Sequence, residues 1–111
     1  MPDMNAKSTV LMIIAPERFR DEELFETQAE LQNAGYETVI ASTHRGNCPG
    51  SRGGQATAKL TLDEVRTADY EATVYVGGGG SKLLFNDERA WQIARETVQN
   101  GKVLGRSAWH P

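Results

Sequence analysis

The amino-acid sequence predicts an α/β fold built on a parallel sheet. Two short runs, residues 8–15 and Ala72–Val76, are mostly apolar and rich in β-branched side chains. Strands of a parallel sheet have this composition because helices cover both of their faces. A helical pattern separates the first run from a third strand-like segment at Glu37–Ser42. The opening part of the chain is therefore predicted to be a right-handed strand–helix–strand unit, with the first run as the central strand.

The crossover helix of this unit is predicted between Asp21 and Gly35. Asp21 is expected to be its N-cap, and Glu22 and Glu23 suit the positive end of the helix dipole. Apolar residues then recur at helical spacing until Gly35 ends the helix.

The middle of the chain has weaker patterns. Residues 43–55 are dominated by glycine, proline and small polar residues, which predicts a surface loop. Residues 56–62 alternate weakly and fit either a short hairpin or an edge strand, and residues 63–65 suggest one helical turn.

A second clear helix follows the glycine run Gly77–Gly80. Capping and dipole complementarity by Asn86, Asp87 and Glu88 suit its start, and Gly101 suits its end. Its predicted buried side is formed by Ala90, Trp91, Ile93, Ala94 and Val98. A final strand is predicted at residues 102–105, six residues before the last residue of the chain. We expect residues 1–7 to be disordered and residues 8–111 to form a partial domain that is incomplete at its C-terminus.

Composition limits the classes of function. The 111 residues, 39% of them hydrophobic, suffice for one core and one domain. A net charge of -3 gives no basic surface for a nucleic acid, and the apolar run 10–15 is shorter than the roughly 20 residues of a membrane span. We therefore expect neither nucleic-acid nor membrane partners. The single cysteine excludes an internal disulfide, so we expect a cytoplasmic protein.

The glycine run is the first candidate site. Glycines at the carboxyl end of a parallel strand let backbone N–H groups face a ligand, either as an anion site or as an oxyanion hole. A tight turn is the structural alternative. Nucleotide binding is disfavoured because the run lacks the G-x-G-x-x-G spacing and follows a later strand.

Acidic residues and the cysteine are the other candidates. Glu17, Asp21, Glu22 and Glu23 lie near the end of the first strand, and Glu23 is placed to point into the ligand crevice, although helix capping explains most of this cluster. Cys48 follows His44 by four residues, but a loop gives no fixed geometry for a Cys–His pair, so an exposed, inert or oxidisable thiol is expected. Trp91 is expected in the core or an interface.

Metal and cofactor sites find no support in the sequence. The two histidines and one cysteine are scattered without the spacing of metal ligands. We therefore expect neither a metal nor a cofactor.

Taken together, several segments resemble the ThiJ/PfpI family over residues 8–105. In chain order they are VLMIIA, FRDEEL, TVIAS with its glycine-rich loop, LTLDEV, YVGGGG, NDERAWQIARETVQNGK and VLG. The family includes the parkinsonism-associated deglycase and proteins called intracellular proteases. The resemblance implies a flavodoxin-like three-layer α/β sandwich of the class I glutamine amidotransferase-like group. It also implies a dimer or larger homo-oligomer that acts on small carbonyl compounds or peptides.

The resemblance also assigns site residues. The glutamate that hydrogen-bonds the family's catalytic cysteine corresponds to Glu23, and the oxyanion glycines correspond to Gly78 and Gly79. The cysteine on the nucleophile elbow corresponds to Ala108, and neither Trp109 nor His110 replaces it. The resemblance therefore predicts a chain that is inactive in cysteine-dependent hydrolase, protease, glyoxalase or deglycase chemistry.

A noncatalytic binding or interaction module is the alternative, for example one that binds a small anion or pairs with a full-length relative. Uncovered apolar surface on an incomplete sheet would favour association. The match fails abruptly after Gly105, which motivates the hypothesis of a slipped reading frame that the coding DNA would test.

Overall fold

The computed structural model describes residues 8–107 of the chain. Its strands are β1 (Thr9–Ile13), β2 (Glu37–Ser42), β3 (Gly46–Pro49), β4 (Gln55–Ala58), β5 (Leu60–Thr61), β6 (Ala72–Val76) and β7 (Val103–Ser107). Its helices are α1 (Asp21–Asn33), α2 (Ser81–Phe85) and α3 (Glu88–Gln99), with short 3₁₀ turns at Leu62–Glu64 and Thr67–Asp69. The predictions for residues 1–7 and for Ala108 lie outside the described residues.

Five parallel strands form the main sheet in the order β5-β2-β1-β6-β7. β1 is central, and Leu11 pairs with Val39 on one side and with Thr73 on the other. Four of its five residues are buried, which explains the continuous apolar run in the sequence. The predicted flavodoxin-like α/β fold with a central first strand is confirmed.

Each face of the sheet carries its own apolar layer. Leu11 and Ile13 pack towards α2 and α3, whereas Val10, Met12 and the following Ile14 pack towards α1 and β3–β4. This division follows from the period of two in a strand, which sends alternate side chains to opposite faces. Burying each such aliphatic side chain stabilises the fold by about 1.5–3 kcal/mol, so the layers hold the carboxyl ends of the strands in place.

The prediction of a surface loop at residues 43–55 is wrong. β3 and β4 form an antiparallel two-stranded sheet in which Cys48 pairs with Ala56. Cys48, Ala56 and Ala58 are buried and join the apolar layer beside α1. The glycine-rich composition of residues 43–55 does not indicate this hairpin, because the two paired strands come from separate segments of the chain. Both alternatives for residues 56–62 occur, since β4 completes the hairpin and β5 is an edge strand of the main sheet.

Two predictions about helices also need correction. Asp21 is the first residue of α1 and not its N-cap; the N-cap is Arg20, whose side chain makes no capping bond. On α3 the predicted cap is confirmed, because the Asp87 carboxylate accepts a hydrogen bond from the Arg89 N–H at 2.9 Å. Trp91 and Val98, expected on the buried side, are 52% and 61% exposed. The helical period identified a common face, but this part of the face is mostly open: Trp91 contacts the edge of α2, where its Nε1–H donates to the carbonyl oxygen of Phe85 at 2.7 Å.

A membrane-crossing helix is not found among the described residues. None of the helices within residues 8–107 has the length and apolar character that a bilayer requires.

Candidate functional site: a glycine run held beside Glu23

The glycine run Gly77–Gly80 begins at the carboxyl end of β6 and lies against the segment between β1 and α1. We call that segment, residues 17–20, the crossover strip. The N–H of Arg20 donates to the carbonyl oxygen of Gly77 at 2.8 Å, and the N–H of Gly80 donates to that of Arg18 at 3.2 Å. The run is thus attached to the backbone of the strip at both ends.

Two of the four positions in the run require glycine for steric reasons. Gly78 has φ 139°, and a Cβ there would lie 2.5 Å from the nitrogen of Arg20. A Cβ on Gly80 would overlap the carbonyl oxygen of Glu17. The close approach of two backbones therefore explains these glycines, in addition to any role in binding.

Glu23 lies next to the run. Its side chain is 8% exposed, and its Oε1 accepts a hydrogen bond from the N–H of Gly77 at 3.1 Å. Its Oε2 lies 3.5 Å from the Nε of Arg20. A backbone donor and a guanidinium group both contact this carboxylate, so the Glu23 side chain is held in a fixed position in the first turn of α1.

The four backbone N–H groups of the run fall into two pairs that differ in their hydrogen bonds. Gly77 donates to Glu23 and Gly80 donates to Arg18. The antiparallel bridge between Phe19 and Gly78 directs the Gly79 N–H towards the carbonyl oxygen of Arg18, and for the Gly78 N–H no hydrogen bond to another residue is found within residues 8–107. These are the two amides that the family resemblance assigns to the oxyanion hole.

The glycine run leads directly into α2, a helix that the sequence analysis missed. The N–H of Ser81 donates to Gly78 and that of Leu83 donates to Gly80, which closes the first turn. Leu84 is fully buried and anchors this helix to the apolar layer beside α3. The pattern SKLL was the available signal, but five residues are too few for helical periodicity to appear.

Arg18 has an unusual backbone conformation for a residue with a side chain. Its φ is 53°, in the left-handed region, which costs about 1–2 kcal/mol for a non-glycine residue. Its N–H donates to Pro49 at 2.8 Å while its carbonyl oxygen accepts from Gly80. Arg18 therefore connects the β3–β4 hairpin to the glycine run through its own backbone.

Cys48 does not fit the prediction of an exposed thiol. It is fully buried in β3, within the apolar layer that contains Phe19 and Val76. Burial raises the pKa of the thiol and outweighs hydrogen bonds with Ser42 and Ala58. The neighbouring His44 has its Nδ1 2.9 Å from the carbonyl oxygen of Arg45, and no contact with Cys48 is found within residues 8–107. The thiolate is therefore disfavoured at this position.

The last strand, β7, ends at the edge of the sheet where the glycine run begins. Ser107 pairs with Val76, the residue immediately before the glycine run. Ala108, Trp109 and His110 lie outside the described residues. Among residues 8–107, no group of three or more His, Cys, Asp or Glu side chains is arranged to hold a metal ion.

The parallel sheet, the glycine run and the adjacent glutamate define a class of protein. The chain belongs to the DJ-1/PfpI family, whose family model matches residues 8–106.

Individual relatives support this assignment. An uncharacterised protein of Methanocaldococcus jannaschii is 41% identical over 108 residues, which are 96% of this chain and 52% of that protein. Deglycase PfpI of Pyrococcus furiosus is 32% identical over 94 residues, covering 85% of this chain and 57% of its own length. A crystal structure of a ThiJ/PfpI domain protein from Brachyspira murdochii superposes with a TM-score of 0.87 at 32% identity, covering 91% of this chain and 59% of that one. The chain thus spans a little over half the length of the relatives it matches.

Proposed function

We propose that this chain is a DJ-1/PfpI domain that binds small carbonyl or carboxylate compounds without the cysteine chemistry of its relatives. The proposal rests on one observation: the single cysteine of the sequence is buried. Cys48 is fully buried in β3, and the position that by resemblance belongs to the family's nucleophile is Ala108.

Nucleophilic catalysis by cysteine needs a thiolate that a substrate can reach. Cys48 offers neither accessibility nor a lowered pKa. The methyl group of Ala108 has no lone pair with which to attack a carbonyl carbon. Covalent deglycase, glyoxalase or protease-type turnover is therefore not expected from this chain.

Noncovalent binding has better support. Glu23 lies beside the glycine run, and the amides of Gly78 and Gly79 are the candidate donors of an anion site. The side chain of Arg20, 46% exposed, pairs with Glu23 beside the run, and that of Arg18, 61% exposed, pairs with Glu17, so both remain open to an anion from solvent. Several relatives are named deglycases, which suggests small carbonyl compounds as the ligand class.

A methylglyoxal assay tests the missing chemistry. In the presence of the purified chain, methylglyoxal is expected to disappear no faster than in buffer alone, with or without iodoacetamide. The matched variant Cys48→Ser is expected to behave identically, because the buried thiol takes no part. Turnover by the wild-type chain that iodoacetamide or Cys48→Ser abolishes would refute this part of the proposal.

A role as an interaction module is the second candidate. On β7, Val103 and Leu104 are 66% and 42% exposed, although they point to opposite faces of the sheet. An apolar groove of about 340 Å³ lies beside Leu104, between Tyr75, Phe85 and Trp91. An edge strand with apolar side chains on both faces is a site for association with another chain.

Light scattering after size exclusion tests this second candidate. The wild-type chain is expected to associate with itself, and Leu104→Lys is expected to shift it towards the monomer because a charge enters the apolar groove. Gln92→Lys adds the same charge on α3 outside that groove and serves as the control. A wild-type chain that stays monomeric at every concentration would exclude self-association as the role of this surface.

A further inference from the structure

The β3–β4 hairpin is attached to the beginning of α1 by one carboxylate. Asp21 is 8% exposed; its Oδ1 accepts from the N–H of Arg52 at 3.0 Å and its Oδ2 accepts from that of Gly54 at 2.7 Å. Both donors belong to the hairpin turn, residues 50–54, which the N–H of Gly50 closes on the carbonyl oxygen of Gly54 at 2.7 Å. Two backbone donors on one carboxylate make this a charge-assisted attachment.

The turn packs directly against the carboxylate. A Cβ on Gly50 would overlap the Asp21 carboxylate, and a Cβ on Gly54 would lie 2.5 Å from its Oδ2. Burial alone would raise the pKa of Asp21, but hydrogen bonds from backbone N–H groups, led by those of Arg52 and Gly54, outweigh it and lower the pKa. The folded chain therefore favours the ionised form that these donors require.

The hairpin in turn holds the crossover strip. The N–H of Ser51 donates to the carbonyl oxygen of Phe19 at 2.9 Å, and Pro49 accepts from Arg18. Phe19 lies between Gly50, with which it forms a parallel bridge, and Gly78, with which it forms an antiparallel bridge. The backbone thus runs in three adjacent layers: the hairpin turn, the strip and the glycine run.

We propose that Asp21 is the positioning residue of the glycine run, acting through the hairpin turn and the crossover strip. The Asp21 carboxylate accepts from Arg52 and Gly54 of the hairpin turn, which lies across the strip from the glycine run. This carboxylate fixes the turn, and the turn holds Phe19 through Ser51. Pro49, next to the turn, holds Arg18, whose carbonyl oxygen accepts from Gly80. The part of this inference that concerns ligands rests on the proposed function.

Hydrogen exchange by NMR tests the connection in the full chain. Asp21→Asn removes the charge and one acceptor, so the amides of Arg52 and Gly54 are expected to exchange about tenfold faster. The same increase is expected across the strip, at Arg20 and Gly80. Glu22→Gln is the matched control. The Glu22 carboxylate forms an ion pair at 3.1 Å with the exposed side chain of Arg52, not with its backbone, and the variant is expected to change these rates less than about twofold.

A binding titration adds a readout that a purely structural role would not change. D-lactate, the product of adding water to methylglyoxal, is titrated while the amide shifts of Gly77–Gly80 are followed. Asp21→Asn is expected to raise its Kd at least about fivefold, and Glu22→Gln is expected to leave it unchanged. If Asp21→Asn does not fold, Gly54→Ala pushes the turn off the carboxylate while keeping Asp21, and the same pattern is expected.

The results separate the two proposals. Faster exchange confined to Arg52 and Gly54, with Arg20 and Gly80 unchanged, would overturn the positioning role of Asp21. An unchanged Kd for D-lactate in a folded Asp21→Asn chain would also overturn it. If the wild-type chain does not bind D-lactate, the proposed function fails, and the exchange rates at Arg20 and Gly80 still decide the role of Asp21.

Discussion

Replacing Phe19 with alanine is expected to lower the free energy of unfolding by about 3–5 kcal/mol, the usual loss for a fully buried phenylalanine. Phe19 is fully buried, packs in the apolar layer beside α1 and lies in the crossover strip. The cavity would therefore open in the crossover strip, which lies between the hairpin turn and the glycine run. Because domains of this size have only about 5–15 kcal/mol in total, the variant is expected to be marginally stable.

Urea unfolding measures this loss, and Phe25→Ala provides the matched control. Phe25 contacts Phe19 edge to face, with ring centroids 6.0 Å apart, but it is 37% exposed. Its replacement is expected to cost clearly less, because its side chain is already partly hydrated. Equal losses for the two variants would contradict the assignment of Phe19 as the buried anchor of the strip.

Replacing Gly80 with alanine is expected to have the second largest effect. The new Cβ would overlap the backbone carbonyl of Glu17, which cannot move aside as a flexible side chain can. Relieving the overlap requires the glycine run and the strip to separate, and such overpacking costs about 1–3 kcal/mol. The hydrogen bond from Gly80 to Arg18 would be broken, so binding of D-lactate is expected to be lost as well.

Gly79→Ala is the control for this prediction. A Cβ on Gly79 would meet its nearest atom, the Cβ of Arg18, at 3.9 Å, an ordinary van der Waals distance. Its unfolding free energy is expected to stay within about 1 kcal/mol of the wild-type value, the size of a tolerated glycine replacement. A Gly80→Ala chain as stable as Gly79→Ala would show that the strip and the run are not in the described contact.

Features that depend on local patterns could be predicted from the sequence. The apolar run of β1 predicted a central strand, and Asp87 predicted the start of α3. The proximity of Glu23 to the glycine run followed from topology, because parallel strands place their carboxyl ends at one edge of the sheet.

Features that depend on contacts between distant segments could not be predicted. Cys48 is buried only because β3 pairs with β4 and packs on the sheet, and nothing near it in sequence indicates this. The carboxylate of Asp21 was expected to cap its own helix, but its partners are 31 and 33 residues away. The exposure of Trp91 was missed because a helical period shows which side chains share a face and not whether another element covers it.

The chain combines the glycine run and Glu23 with a single thiol, Cys48, that is buried and unreactive in the folded state. Intact-mass measurement after brief treatment with iodoacetamide at neutral pH tests this most directly, with the variant Gln92→Cys, which adds a thiol at an exposed position of α3, as the control. We expect the folded wild-type chain to stay unlabelled and to take one label in urea, whereas folded Gln92→Cys takes one label without urea. Rapid labelling of Cys48 in the folded wild-type chain would contradict the account.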